Sequence, residues 1–438
     1  ASDVYKRQPP DGLILCNPGT YTFTNNITWT PQYNIAIIIF CNNITLNLNN
    51  FTLTCNNPNN LQTIGISIYR AANVIVKNGT ITGMGLRGLE AELSKDVLIQ
   101  NITVDGITTD NIVDFIAPTG IYSTGCEDIE ISRCVVKNMK VRVDTMAGIQ
   151  ITNTINSKII DCSLKDFINY DGACTGFGHL SCDGSLVKNC SVTNFQSFFN
   201  GNIKTQGHTC IGYVPIFTTN LTILNCKATN ITGCCDDAHG ISIFLCVDNI
   251  LVKDCCVNNV KDGIGQNTGA KSTGIEVYGS GVVVEDCCVS NISAINPQDK
   301  QCTGFSCALA DGVKFMNCKA VNVNVYDENG NQNSCIGYGT GFGWAPDIRP
   351  EFVFPSINIL YEKCCAKNCQ VGFDSWYHID STWKNIGTCC CGISVLNLNK
   401  SQRTLSCNPC SECNPPVVET LTNVAKGNKF MNVKAKYC

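Results

Sequence analysis

The chain has 438 residues, of which 15% are charged, 44% are apolar, 32 are cysteine and 37 are glycine, with a formal net charge of −4. Ordinary soluble domains carry roughly 25% charged residues, so this surface is poor in charge, while the apolar fraction suffices for a large core and excludes a disordered chain. The weak acidity excludes nucleic acid as the main partner, since neutralising phosphates needs a basic face. The longest apolar run, Ile35 to Phe40, is far short of the ~20 residues of a membrane-spanning helix.

At the start, Asp3 to Gln8 read D-V-Y-K-R-Q. This resembles a translated sequencing adapter, so residues 1–8 are set apart as a non-native segment and the natural N-terminus is expected to be missing. Residues 9–34 are expected to form a cap.

From residue 35 one pattern recurs. A Gly is followed by an apolar residue, a stretch of alternating residues, Asn or Asp, Cys, and a second alternating stretch. Seven copies carry Gly120, Gly148, Gly176, Gly212, Gly240, Gly274 and Gly304, each followed 13 to 15 residues later by Cys134, Cys162, Cys190, Cys226, Cys255, Cys287 and Cys318. The shortest repeat is 28 residues, and nearly all length variation falls between a Cys and the next Gly. The same register extends upstream through Gly65 and Gly88 and returns near the end, where Gly427-Asn-Lys-Phe-Met-Asn-Val433 echoes Gly312-Val-Lys-Phe-Met-Asn-Cys318.

Within a unit the period is two. In Leu221-Thr-Ile-Leu-Asn-Cys-Lys-Ala-Thr-Asn-Ile231 apolar and polar side chains alternate, break once at Asn-Cys, and resume. That is strand, turn, strand with one face buried. A unit this short cannot bury its own apolar face, whereas identical units stacked in parallel can. The expected fold is all-β: a single-stranded parallel β-helix (β-solenoid) of ten or more coils over residues 35–378, then a Cys-rich irregular segment at 379–426 and a terminal coil at 427–438. Each coil adds ~4.8 Å. The fifty asparagines are expected mainly at the strand breaks, bonding their neighbours and the Asn one coil away, and satisfying turn backbone that would otherwise be buried unpaired.

Asn43-Ile-Thr-Leu-Asn-Leu-Asn-Asn-Phe-Thr-Leu53 and Val74-Ile-Val-Lys-Asn-Gly-Thr-Ile-Thr-Gly83 resemble the opening coils of right-handed parallel β-helix proteins of the pectin-lyase-like superfamily. The resemblance implies a right-handed winding. It leaves activity open, because the superfamily includes polysaccharide lyases, glycoside hydrolases, phage tailspikes and non-catalytic surface proteins.

The repeating cysteines read as an inner ladder of packed thiols. Stacked neighbours sit near the ~4.8 Å strand spacing, wider than the ~3.8 Å Cβ separation of a disulfide. The outward cysteines Cys256, Cys288 and Cys365 form one column in which coils can be cross-linked. Cys407-Asn-Pro-Cys-Ser-Glu-Cys413 lacks the partners of a standard zinc site and reads as a disulfide-stapled cap. Neither a metal nor another cofactor is expected.

Candidate chemistry gathers just before the repeat glycines. Cys234-Cys-Asp-Asp-Ala-His-Gly240 faintly resembles the Asp-Asp and Gly-His-Gly elements of polygalacturonase-type hydrolases, which would make Asp236, Asp237 and His239 catalytic. The two elements are fused here and no Arg-Ile-Lys element follows. Asp144 and Asp171 occupy similar turns, and glycoside hydrolysis needs two acids about 5 to 9.5 Å apart. The insertions all fall on one edge of the rod and carry Phe198, Phe199, Lys204, Tyr326 and, further on, Trp344. Insertions on one side commonly build a binding face, and amide, hydroxyl and aromatic groups suit sugars. Asp144, Asp171, Lys204, Tyr326 and Trp344 are therefore the candidate substrate contacts. The leading expectation is a non-catalytic surface or structural protein with a carbohydrate-facing edge, outside the cell or on a virion. The alternative is a polysaccharide hydrolase or lyase. A glycan is the expected partner; oligomeric state is left open.

Overall fold

The computed structural model describes residues 2–3, 12–56, 62–109, 117–198, 209–233, 237–262, 271–295, 301–326, 332–333, 336–339, 356–369, 371–374, 378–389, 393–396, 403–405, 419–421, 427–432 and 434–436. The described residues are strands and turns without a helix. A full coil has three short strands that pair in parallel with their counterparts in the coils before and after, while Gln332–Asn333 pairs antiparallel with the end of Lys319–Tyr326 and Arg403–Leu405 antiparallel with Glu419–Leu421. One wall is a 14-stranded parallel sheet running from Leu13–Leu15 to Ile393–Leu396. The other two walls merge into a 29-stranded sheet, because Ala72–Thr82 and Lys95–Asp105 run unbroken through the corner between them.

The shortest repeat appears directly in the register: Ser163 pairs with Ser191, and Lys158 pairs with Glu130. Winding begins before residue 35, since Leu13–Leu15 pairs with Ile37–Ile39 and Ile27–Trp29 with Leu53–Cys55. Ser2–Asp3 pairs with Tyr21–Thr22. The Gly427 echo is a coil, with Lys429–Met431 on Thr382–Lys384.

The repeat glycines stand in a column for a steric reason. A Cβ on Gly176 would lie 2.2 Å from the Gly212 carbonyl oxygen, and one on Gly240 would lie 2.7 Å from that of Gly274. Successive coils touch backbone to backbone there, so no side chain fits.

At the corner between the two merged walls, the residue before each slot cysteine has a left-handed backbone: Asp161 (φ 56°), Asn189 (54°) and Asn225 (52°). Asn and Asp tolerate this conformation better than other residues with side chains. Their side chains form an exposed ladder in which Asn189 Nδ2 donates to Asp161 Oδ1 at 2.9 Å and Asn225 Nδ2 to Asn189 Oδ1 at 2.8 Å. A second ladder runs from Asp166 through Asn194 and Asn230 to Asn259.

The inward turn carbonyls fall to the thiols. Cys190 Sγ donates to the Lys188 and Ile159 carbonyls at 3.2 and 3.5 Å, and Cys226 Sγ to those of Leu224 and Val187 at 3.3 and 3.6 Å. The division of labour corrects the reading of Asn as the group that satisfies buried turn backbone: the left-handed turn sends Asn into solvent and leaves its carbonyls to the thiol. At the next corner the same position holds Cys126, Thr154, Cys182 and Thr218, each donating to the carbonyl two residues before it. A thiol and a hydroxyl are interchangeable as short donors, which explains why cysteine is abundant at these corner positions without being bridged there.

The slot cysteines from Cys134 to Cys318, and Cys364 after them, are buried and free. Burial pushes the Cys134 and Cys318 thiols up from their ordinary value. Cys256 and Cys288, one coil apart on the outer face, form a disulfide with a Cα–Cα separation of 4.8 Å. Strand spacing therefore does not by itself forbid a bridge. What sets the inner column apart is that its thiols already have carbonyl acceptors.

Candidate functional site

Along the 14-stranded sheet, the residues one and three after each repeat Gly point inward, as Ile241 and Ile243 do (1% and 0% exposed). Alternation then turns the residues one before and two after the Gly outward. On three successive coils these outward positions are His239 and Ser242, Thr273 and Glu276, and Thr303 and Ser306, aligned by strand register. All six are buried, from 0% to 4% exposed.

His239 sits between two acids. Its Nε2 lies 3.5 Å from Asp237 Oδ2, and its Nδ1 lies 3.4 Å from Glu276 Oε2. Ser242 Oγ is 3.4 Å from the same Glu276 oxygen. Among the described residues, His239 Nδ1, Thr273 Oγ1 and Ser306 Oγ have no hydrogen-bond partner. Nδ1 is close to the Glu276 carboxylate but poorly aligned with it. Burying a polar atom unpaired costs about 1 to 3 kcal/mol, so these three successive coils carry an unrelieved cost at their outward positions.

Two and three coils upstream on the same edge, the turns before the sheet carry Arg142, Asp144, Tyr170 and Asp171. The Arg142 guanidinium lies 5.1 Å from the Tyr170 ring centroid and 3.4 Å from Asp171 Oδ2. Tyr170 stacks on Phe198 of the next coil, with centroids 6.0 Å apart, and Phe198 is 41% exposed. Asn169 holds this turn in place. Its Nδ2 donates to the Val143 and Ala173 carbonyls, and its Oδ1 accepts from the Asp171 amide. Asp144 is exposed.

The structure thus joins Asp237 to His239 and Asp171 to Arg142, on one edge of one sheet. Asp236, Lys204 and Trp344 lie outside the described residues. The Tyr326 backbone ends the strand Lys319–Tyr326, and its side chain is likewise outside them. Sequence reasoning missed Glu276, Thr273, Ser306 and Arg142. The available signal for Glu276 was its slot, two after a repeat Gly, where other coils carry Gln150, Gly178, Val214, Ser242 and Ser306. At the far end of the sheet a comparable cluster is held by ion pairs, although Arg87 Nε is left without a hydrogen-bond partner. Arg87 pairs with Glu90 and Glu92, lies 3.8 Å from the Tyr122 ring centroid, and Glu90 accepts from Ser67 Oγ at 2.7 Å.

Among the described residues no cluster of three or more His, Cys, Asp or Glu side chains is arranged to hold a metal ion, and no helix is long and apolar enough to cross a membrane.

The family described as "Right handed beta helix region" matches residues 11–166. With its walls of stacked parallel strands, the chain has the fold of a right-handed parallel β-helix. Solved structures similar to it include the tailspike protein of E. coli bacteriophage HK620 in complex with a pentasaccharide (10% identity, 87% of this chain and 71% of that one, TM-score 0.49). The periplasmic alginate epimerase AlgG is another (10% identity, 94% and 78%, TM-score 0.49). A third is the catalytic domain of a GH87 α-1,3-glucanase in complex with tetrasaccharides (10% identity, 98% and 70%, TM-score 0.45). No curated protein matches the chain in sequence.

Proposed function

We propose that this protein binds a polysaccharide along one edge of its 14-stranded sheet, as a non-catalytic surface or structural β-helix outside the cell or on a virion. The observation that carries the reading is the paired Arg142 and Asp171 side chains of that edge, beside the stacked Tyr170 and Phe198 rings, of which Phe198 is 41% exposed. Sugars offer hydroxyls to the first and an apolar ring face to the second. The Cys256–Cys288 disulfide supports an oxidising compartment. The non-catalytic form is favoured because the two acids near His239 both contact its imidazole rather than face each other across an open gap.

A second reading is a polysaccharide hydrolase. With 3.5 and 3.4 Å on the two sides of one ring, the Asp237 and Glu276 oxygens are at most roughly 9 Å apart, a bound that admits the carboxylate separations of both retaining and inverting glycosidases. The test is incubation with a polysaccharide panel, reading both retention and newly formed reducing ends. Retention without turnover supports the first reading. Turnover that disappears in Asp237→Asn and Glu276→Gln, with the fold intact by circular dichroism, replaces it with the second. Neither retention nor turnover overturns both.

A further inference from the structure

We propose that the outer face of the wall that follows the 14-stranded sheet is a self-association surface, on which a second copy of this chain docks with its coils running in the opposite direction. The surface is separate from the glycan edge. Asp171 precedes the sheet strand Ala173–Leu180, whereas the wall strand Asp183–Lys188 follows it.

In the wall strands Ile250–Lys253 and Val282–Glu285 the first and third residues are buried and the second and fourth are half-buried, so the latter point outward. Strand register stacks these outward positions into two columns over six coils. The first reads Lys158, Leu186, Thr222, Leu251, Val283 and Lys314. The second reads Ile160, Lys188, Leu224, Lys253, Glu285 and Met316. A solvated sheet face ordinarily carries polar residues outward. Here the four inner coils of the first column carry three aliphatic side chains and a threonine. At the corner that leads into the wall, Phe217 and Leu245 stand on the two middle coils, 57% and 40% exposed. Both have a left-handed backbone (φ 49°), an outlier for bulky side chains.

The order of the columns selects the partner. A twofold axis along the strand direction, midway between the two middle coils, sets the first coil against the sixth, the second against the fifth and the third against the fourth. Leu186 then faces Val283, Thr222 faces Leu251, Ile160 faces Met316 and Phe217 faces Leu245. Lys188 faces Glu285, so opposite charges meet twice. In the exposed ladder bordering the wall, Asp161 faces Asn317, Asn189 faces Asp286 and Asn225 faces Asp254, so every carboxylate meets a carboxamide. The like-charge pair, Lys158 against Lys314, lies at the rim where both are exposed and screened by salt. A twofold along the stack of coils would instead set each coil against itself and bring no acid to Lys188. The strand-directed axis also keeps the two walls aligned, as stacked sheets require. Six coils at ~4.8 Å and seven residues at ~3.3 Å make a face of roughly 650 Å². Two such faces reach the lower end of the ~1,200–2,000 Å² buried in specific interfaces, which fits a reversible dimer.

The experiment measures the molar mass of the full chain by sedimentation equilibrium from micromolar to sub-millimolar concentration, and a reversible monomer–dimer equilibrium is expected. Leu251→Glu puts a carboxylate beside the axis and is expected to weaken dimerisation at least tenfold. Lys188→Glu and Glu285→Lys are each expected to weaken it several-fold, and the double variant to restore it. Glu285→Lys also breaks the contact with Lys253 of its own chain, so the double variant carries the decision: within one chain Lys188 and Glu285 are three coils apart and cannot rescue each other. Thermal melts establish that each variant is folded. A monomer at every concentration overturns the proposal, as does a dimer that Leu251→Glu leaves intact. Dimerisation lost in both single variants and not regained in the double variant overturns the antiparallel arrangement.

Discussion

The corner that carries Asn189-Cys190 and Asn225-Cys226 and the edge that carries Asp171 and Asp237 lie on the same coils yet obey opposite rules. At the corner every inward carbonyl has a thiol donor and every outward Asn has a neighbour one coil away. At the edge, coil length varies from turn to turn and buried polar atoms go unpaired. A ladder tolerates no change of length, because each member bonds the next. The edge is bound by no such constraint, so it is where loops and unsatisfied groups can accumulate. Binding and catalytic residues concentrate in such connections, positioned by a rigid scaffold.

The contrast can be broken most decisively at the glycine column. Gly176→Val places a side chain against the Gly212 carbonyl and Val192. It should cost more than about 4 kcal/mol, seen as loss of the cooperative urea transition.

Acid should also act on the core through His179. Burial holds His179 down to about 4 from its ordinary 6.5. Above pH 6.5 the imidazole is neutral in both folded and unfolded chains, so it adds nothing to the pH dependence. As pH falls from 6.5 towards 4 only the unfolded chain takes up the proton, and up to about 3 kcal/mol of stability is lost. His179→Leu should flatten denaturant midpoints across that window.

Within the corner, Asn225→Ala should cost about 1 to 2 kcal/mol from the left-handed backbone and the broken ladder. Asn225→Gly should recover the backbone part. Cys190→Ala should cost about 1 kcal/mol by losing its donor, and Cys190→Ser less.

The edge should respond with the opposite sign. Thr273→Val removes an unpartnered hydroxyl from a buried site, so stability should hold or rise by up to about 1 kcal/mol. If Thr273→Val instead destabilises by as much as Cys190→Ala, the edge is built like the corner and the comparison fails.

Much of the winding was legible before any coordinates. A period of two with one break, repeated at a minimum of 28 residues, allows few arrangements other than stacked parallel coils. The thiols were legible as an inner column, although their bonds to turn carbonyls were not. The pairing of Asp237 with His239 could be read because both fall within three residues. Glu276 could not, since it lies in the next coil and approaches His239 only through the register of Ala238–Cys246 against Lys271–Gly279. The partnership of Arg142 and Asp171 is of the same kind, spanning 29 residues.

The sequence by itself determined the spiral, its pitch, the glycine and cysteine columns and the edge where insertions gather, because each of these follows from a local pattern repeated in register. Only the tertiary structure decided which outward residues of neighbouring coils meet, that His239 stands between Asp237 and Glu276, and that Thr273 and Ser306 are buried without partners. Contacts between coils depend on how insertion lengths shift each strand against the last, and burial depends on what lies over it. Neither quantity is carried by any single repeat.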